Sequence, residues 1–274
     1  MRIAVVSDSH LAPVAEELLP NWEAAKQFIS RSAVDLTIHL GDVTLDGANR
    51  SADLRYARSV IGEWPTRIRF LPGNHDIGDN PWGPGQASPH PLNLERLRDY
   101  RGLFGPDYWA LEADPWLVLG LDAQLFGSAV EQETEQWEWL GDFAARAGKR
   151  PVVVMLHKPL FQESPKDEAP HVRYMPFEPR QRLLKLMASL DVRVVLSGHT
   201  HQYRRRRVAG IEHVWVPSTA FVFPDEMQER LGVKLVGLGI LELRSEAHGF
   251  DLVCAAGMEQ RDVTDSPGIL RGAG

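Results

Sequence analysis

Six short apolar runs rich in β-branched residues, at positions 3–6, 36–40, 68–71, 117–121, 152–156 and 192–196, recur through the first two hundred residues of this chain. Near-continuous runs of this kind suit strands buried on both faces, since a strand with one wet face would alternate instead. Helix-like stretches lie between them at 21–30, 52–61, 133–147 and 179–190. Strand alternating with helix predicts a layered α/β architecture. Towards the end of the chain, 212–216, 220–223, 233–243 and 250–253 read as strands with little helix between them, which predicts a second, more antiparallel sheet. Two mixed sheets with helices outside make a four-layer αββα sandwich. We expect it to occupy residues 1–274 as one domain, although ~150 residues per domain would permit two.

The residues at the strand exits are more specific. The first run exits into Ser7-Asp8-Ser9-His10, the second into Gly41-Asp42 and the third into Pro72-Gly73-Asn74-His75-Asp76. The run 152–156 exits into His157-Lys158-Pro159, and the run 192–196 into Ser197-Gly198-His199-Thr200-His201. In open α/β sheets, ligands gather outside the carboxyl ends of the strands. Alternate residues of an extended segment point the same way, so Asp8 and His10, or the two rings of a His-x-His pair, can serve one site. Gly41 permits close approach of backbone, and the two oxygens of Asp42 can bridge two cations. Each block alone has an ordinary explanation: a surface Asp-x-His, a polar turn, a structural histidine. Five strands finishing in residue types that bind divalent metals is what those explanations do not cover. The only cysteine is Cys254, so thiolate and intramolecular disulfide chemistry are excluded and any metal is held by nitrogen and oxygen. Mn, Fe or Zn fit such donors.

The ordered blocks Asp8-x-His10, Gly41-Asp42, Gly73-Asn74-His75-Asp76, His157 and Gly198-His199-x-His201 resemble the calcineurin-like metallophosphoesterase superfamily over about three quarters of the chain. The resemblance implies an αββα fold with a dimetal site at the strand carboxyl ends. It implies one metal held by Asp8, His10 and His201, a second held by Asn74, His157 and His199, and Asp42 bridging them. His75 would contact the phosphoryl oxygens and protonate the leaving group, with Asp76 orienting its ring. A dimetal centre of this kind attacks in line with a metal-bridging hydroxide and forms no phosphoryl-enzyme. Within the superfamily the chain looks most like bacterial cyclic-nucleotide and glycerophosphodiester phosphodiesterases. Those relatives often carry a second histidine where Lys158 stands, whereas the first histidine of the segment, His157, keeps the ligand position.

The leading expectation is therefore a phosphodiesterase for a small phosphate-ester substrate, with a phosphomonoesterase or nucleotidase as alternative. A non-catalytic scaffold of the same fold is a further alternative from a different class. A formal net charge of −7 argues against a nucleic-acid binder. Arg204 to Arg207 read as a solvated strand or turn edge rather than a nucleic-acid patch. Trp137, Trp139, Leu140 and Phe143 fall at helical spacing and read as a packed face. His39 and His213 sit inside apolar strands and read as satisfied histidines. His90, His171, Trp82 and Tyr174 lie in Pro-rich loops that could meet a leaving group. The region 77–114, rich in Pro, Gly and Trp, reads as a lid-like insertion with a helix near 92–100, and the tail after 257 as prone to fray. The apolar run after Met1 is too short for a signal peptide or a membrane span, so a cytoplasmic location is expected. A homodimer is a further expectation from the resemblance.

Overall fold

The computed structural model describes residues 1–83, 85–266 and 269. Its elements in chain order are β1 (Arg2–Val6), α1 (Leu19–Arg31), β2 (Leu36–His39), α2 (Ser51–Ile61), β3 (Arg67–Phe70), α3 (Asn74–Ile77), α4 (Leu94–Phe104), β4 (Trp109–Ala113), β5 (Trp116–Leu121), α5 (Glu131–Ala147), β6 (Pro151–Leu156), α6 (Phe177–Met187), β7 (Asp191–Ser197), β8 (Arg204–Val208), β9 (Ile211–Trp215), β10 (Leu238–Leu243) and β11 (His248–Val253).

Two mixed sheets result, one ordered β11-β10-β1-β2-β3 and the other β4-β5-β6-β7-β9-β8. Strands β1, β2 and β3 run parallel, as do β5, β6, β7 and β9, while the outer strands β10, β11, β4 and β8 are antiparallel. The inner faces meet in one apolar layer, where Val5 and Ile38 of one sheet share a core with Val153, Met155 and Leu196 of the other. Helices α1, α2 and α4 cover the outer face of the first sheet, and α5 and α6 that of the second. Strands β1, β2, β5 and β6 are thus sandwiched, which is why each is a run, whereas the edge strand β3 alternates as Arg67-Ile68-Arg69-Phe70. Trp137, Leu140 and Phe143 of α5 pack into the second of these outer layers.

The C-terminal strands depart from expectation. They build no sheet of their own: β9 joins the second sheet parallel to β7, whereas β10 and β11 complete the first sheet by pairing with the free side of β1. Residues 220–223 form no ladder, only a single bridge from Val222 to Asp262. The physical reason is local. The Ser218 hydroxyl accepts from the backbone N–H groups of Ala220 and Phe221, and the Phe221 carbonyl accepts from His201, so side chains satisfy what a ladder would have used.

Within 77–114 the sequence reading missed β4, which pairs antiparallel with β5. Helix α4 starts at Leu94 rather than near 92 because the Asn93 side chain caps it, accepting from Glu95 N at 2.9 Å and Arg96 N at 3.2 Å. Part of the tail expected to fray is tied down: Glu259 N donates to Asn21 Oδ1 at 2.7 Å and Val263 is buried. The rest of that expectation, at 267, 268 and 270–274, falls outside the described residues.

Candidate metal centre

The loops leaving β1 and β2 continue the parallel ladder beyond the strands. Leu40 N donates to Val6 O, Asp8 N to Gly41 O at 3.0 Å, His10 N to Asp42 O at 3.1 Å and Leu11 N to Val43 O at 2.8 Å. The backbone there is not extended. Asp8 (φ 53°), His10 (47°), Asp42 (52°), His199 (66°) and His201 (51°) are all left-handed, five of seven such non-glycine residues among those described. Each conformation costs about 1–3 kcal/mol and persists only where surroundings over-determine it, which is a mark of functional sites. Alternation along an extended segment is therefore not what brings Asp8 next to His10; a strained turn held by a neighbouring loop does.

Side-chain donors converge in three overlapping groups: Asp8, His10 and His201; His10, Asp42 and His75; and Asp42, His157 and His199, the ligand atoms of each lying within 4.8 Å of one another. Asn74 Oδ1 stands 3.2 Å from His157 Nε2, placing the amide beside the third group. All seven residues expected as ligands are therefore brought together, and Asp42 belongs to two groups at once.

The donor chemistry fits cations. His157 Nδ1 lies 3.0 Å from the Leu40 carbonyl, and His201 Nδ1 lies 2.8 Å from that of Phe221. A carbonyl only accepts, so both Nδ1 atoms carry a hydrogen and each Nε2 is the nitrogen turned inward, as ring orientation by a second contact does in metal sites. These Nε2 atoms meet further ring nitrogens at 3.1 Å, His10 Nε2 in the case of His201 and His199 Nδ1 in the case of His157.

Electrostatics agree. Burial pulls the pKa of His10 and of His199 well below the usual histidine value, keeping both neutral. Burial would raise the carboxyls of Asp8 and Asp42, but His201 beside the first and His157 beside the second hold both ionised. Burial would likewise depress His157, yet Asp42, Asp8 and Asp76 lift it to about 9. Two buried carboxylates recruit a proton onto a ligand-type nitrogen, the response of a site that calls for cations.

Close approach is built in by glycine. A Cβ on Gly41, itself at φ 109°, would sit 2.7 Å from His157 Nδ1 and 2.8 Å from Gly73 N. A Cβ on Gly198 would overlap the Ser7 hydroxyl and lie 2.7 Å from Asp8 Oδ2.

His75 is half-buried, edge-on to His10 with ring centroids 4.8 Å apart. The expectation for Asp76 is corrected. Its carboxylate does not touch the His75 ring but accepts from Gly73 N (2.9 Å), Val43 N (3.2 Å), Thr44 N (2.8 Å) and the Thr44 hydroxyl (2.8 Å), clamping the second and third loops together. Backbone donors outcompete an imidazole for a buried acceptor sited at the start of α3. The His75 ring is oriented instead by the Leu45 carbonyl, 2.6 Å from Nδ1. Burial and the charge of Asp42 raise Asp76 to about 6.

The other singled-out residues divide. His39 uses both ring nitrogens, accepting from Gly41 N at 3.2 Å and meeting the Ser9 hydroxyl at 2.9 Å, so it supports the first loop; burial lowers its pKa to about 3. His213 packs on Phe161. His90 is exposed, whereas Trp82, His171 and Tyr174 line a common cleft. Arg204 and Arg206 grip Gln162 and Glu163, and Arg205 pairs with Glu212, so this run is a loop clamp. Lys158 is buried, with Nζ 2.5 Å from Asp79 Oδ1 and 2.8 Å from Asn80 Oδ1. Asp79 and Asn80 were missed in sequence; two adjacent polar residues following the Asn74-His75-Asp76 block after Ile77-Gly78 were the available signal.

Two cation-demanding donor groups sharing one carboxylate, set between the strand ends of facing sheets, define a dimetal hydrolase class. The chain belongs to the calcineurin-like phosphoesterase family, whose profile matches residues 1–203 and so spans every candidate site residue. Human serine/threonine-protein phosphatase CPPED1 is 26% identical over 139 residues, covering 48% of this chain and 41% of that protein. The matched region thus spans about two fifths of the length of that relative. Similar solved structures include a dimetal phosphatase from Danio rerio (TM-score 0.60, 15% identity, 92% of this chain and 95% of that one). Purple acid phosphatase PPD1 from yellow lupin seeds (TM-score 0.65, 16% identity) is covered over 55% of its length by 98% of this chain. GAP50, described as the anchor in the inner membrane complex of Plasmodium, has TM-score 0.63 at 12% identity, covering 100% of this chain and 95% of that one. At these identities the structures speak to fold alone. No described helix is long and apolar enough to cross a membrane.

Proposed function

We propose that this chain hydrolyses a small phosphodiester with two metal ions, Mn, Fe or Zn. Asp8, His10 and His201 would hold one ion and Asn74, His157 and His199 the other, with Asp42 between them. The observation that carries this reading is that Asp42 stands with His157 and His199 in one donor group and with His10 in another, while His10 also belongs to the group of Asp8 and His201, the ligand atoms within each group lying within 4.8 Å of one another. Two ions so placed supply an activated water and neutralise charge in an in-line displacement at phosphorus.

The chain's own residues supply the rest. Leu40 and Phe221 carbonyls fix the ligand tautomers, and the left-handed loops hold Asp8, His10 and Asp42 in place. His75, with Nδ1–H given to Leu45 O, has Nε2 left to face the substrate; when this nitrogen carries a second proton, making the ring an imidazolium, it would pass that proton to the departing oxygen and return to the neutral ring. The diester preference is supported by charge. Lys158, next in the chain to His157, is committed to Asp79 and Asn80, leaving it unable to answer the second negative charge of a monoester.

A phosphomonoesterase is the second reading, favoured by relatives described as phosphatases. The scaffold reading takes GAP50 as its parallel and expects a protein that retains no ions. Metal analysis of purified protein, followed by the rate on bis(p-nitrophenyl) phosphate relative to p-nitrophenyl phosphate with Mn supplied, separates all three. A ratio well above one supports the diesterase, a ratio well below one the monoesterase, and absence of both ions and activity the scaffold.

A further inference from the structure

A cleft of about 320 Å³, within the size range of small-molecule sites, is lined by Trp82 and by residues of the segment 162–180, which follows His157 in the chain. Both walls are tied to the residues just after His157. Trp82 Nε1 donates to Asp79 Oδ2 at 3.1 Å, and the other oxygen of Asp79 takes the Lys158 ammonium at 2.5 Å. On the opposite side, Met175 N donates to the Pro159 carbonyl at 3.0 Å. Asn80, sharing Lys158, donates to the Ala123 and Phe126 carbonyls at 3.1 and 2.9 Å, so this wall is pinned to the loop after β5 as well.

The lining offers rings and apolar surface: Trp82, His171, Tyr174 and Phe177 with Met175 and Pro170. Asp79 already takes the Trp82 N–H, so the indole has its face left to offer. Of the charge in the lining, Glu168 is exposed and the rest is engaged. The Arg180 guanidinium is buried and turned onto the Leu160, Met175 and Asp167 carbonyls, and Glu163 is paired with Arg204 and Arg206. No cation among these stands ready for a second anionic group.

We propose that this cleft receives the leaving group of the substrate, and that this group is an uncharged, flat aromatic or heteroaromatic alcohol stacking on Trp82. The proposal rests on the phosphoester reading above. Stacking of a flat ring on an aromatic side chain gives an expected preference of about tenfold.

Calorimetric binding of the monomethyl esters of phenylphosphonic and methylphosphonic acid, hereafter phenylphosphonate and methylphosphonate, to the Mn-loaded protein tests it, since each carries the single negative charge of a diester and holds its phenyl or methyl group on a carbon bond that resists hydrolysis. Phenylphosphonate is expected to bind about tenfold tighter to the natural chain, and Trp82→Ala or Trp82→Leu to bring the ratio to about one through weaker phenylphosphonate binding. Equal affinities in the natural chain, or a Trp82 change that weakens both ligands alike, would overturn the subsite while leaving the phosphoester reading intact. Binding of neither phosphonate would sink the phosphoester reading and the subsite with it.

Discussion

His157 Nε2 lies 3.2 Å from Asp42 Oδ2, although Asp42 follows β2 in one sheet and His157 follows β6 in the other. The site therefore exists only when the two sheets are packed, and its geometry reports on their union. Replacing His157 removes one donor and frees the Leu40 carbonyl it was holding. His157→Ala is expected to lower bound metal from about two ions per chain to about one, measured by elemental analysis. Turnover should fall by more than the ~10–100-fold typical of losing a contact behind a ligand. Full metal content in that variant would remove His157 from the ligand set.

His75 is expected to separate chemistry from metal binding. Its Nδ1 is fixed by Leu45 O, and its ring packs edge-on to His10. His75→Ala should retain both ions and lose ~10²–10⁴ in turnover, the usual worth of a positioned acid. Loss of an ion together with the rate would reassign it as a ligand, a role its grouping with His10 and Asp42 permits.

The seven ligand candidates were legible in sequence because each is a side-chain type that binds metals, placed where an apolar run stops. The contacts that aim them were not, since Leu40, Leu45 and Phe221 act through backbone carbonyls, which carry no sequence signature. Nor was the left-handed backbone at Asp8, His10, Asp42, His199 and His201, which local preference disfavours and only the assembled loops impose. Asp76 was misassigned for a related reason: proximity to His75 in the chain suggested a partner, while four donors on other residues and loops claimed its oxygens. In the fold, strand and helix identity followed periodicity, but the partition of β9, β10 and β11 between sheets depended on which strand edges were open. Tertiary pairing decides that, and the pattern within a single run does not.

Gly198 tests how tightly the last loop is held against the first. Its added Cβ would overlap the Ser7 hydroxyl and press on Asp8, whose carboxylate already accepts from His199 N at 3.0 and 3.1 Å. Gly198→Ala is expected to destabilise the fold by ~1–3 kcal/mol, as overpacking does, and to weaken metal binding through displaced Asp8. Denaturant melts and metal titration check the two effects separately. A variant with the natural chain's stability and metal affinity would show the loops to be softer than their contacts imply.

A buried carboxyl pair gives the expected pH dependence. Asp122 is fully buried, its Oδ1 accepting from Gln124 N, its Oδ2 without a partner, and Asp107 beside it held by Arg101 at 2.7 and 3.0 Å. Burial first, and then the charge of Asp107, push the Asp122 pKa well above the usual carboxylate range. A carboxyl raised on folding binds its proton more tightly in the folded chain than in the unfolded one. Its contribution to stability is therefore full below the ordinary carboxylate pKa of ~4 and is lost as pH rises towards the raised folded value. Asp122→Asn mimics the protonated group at every pH, so the variant should match the natural chain in acid and become the more stable of the two as pH increases. Urea melts at stepped pH measure the difference. A gap that stays constant across the series would mean that the Asp122 carboxyl is not raised on folding.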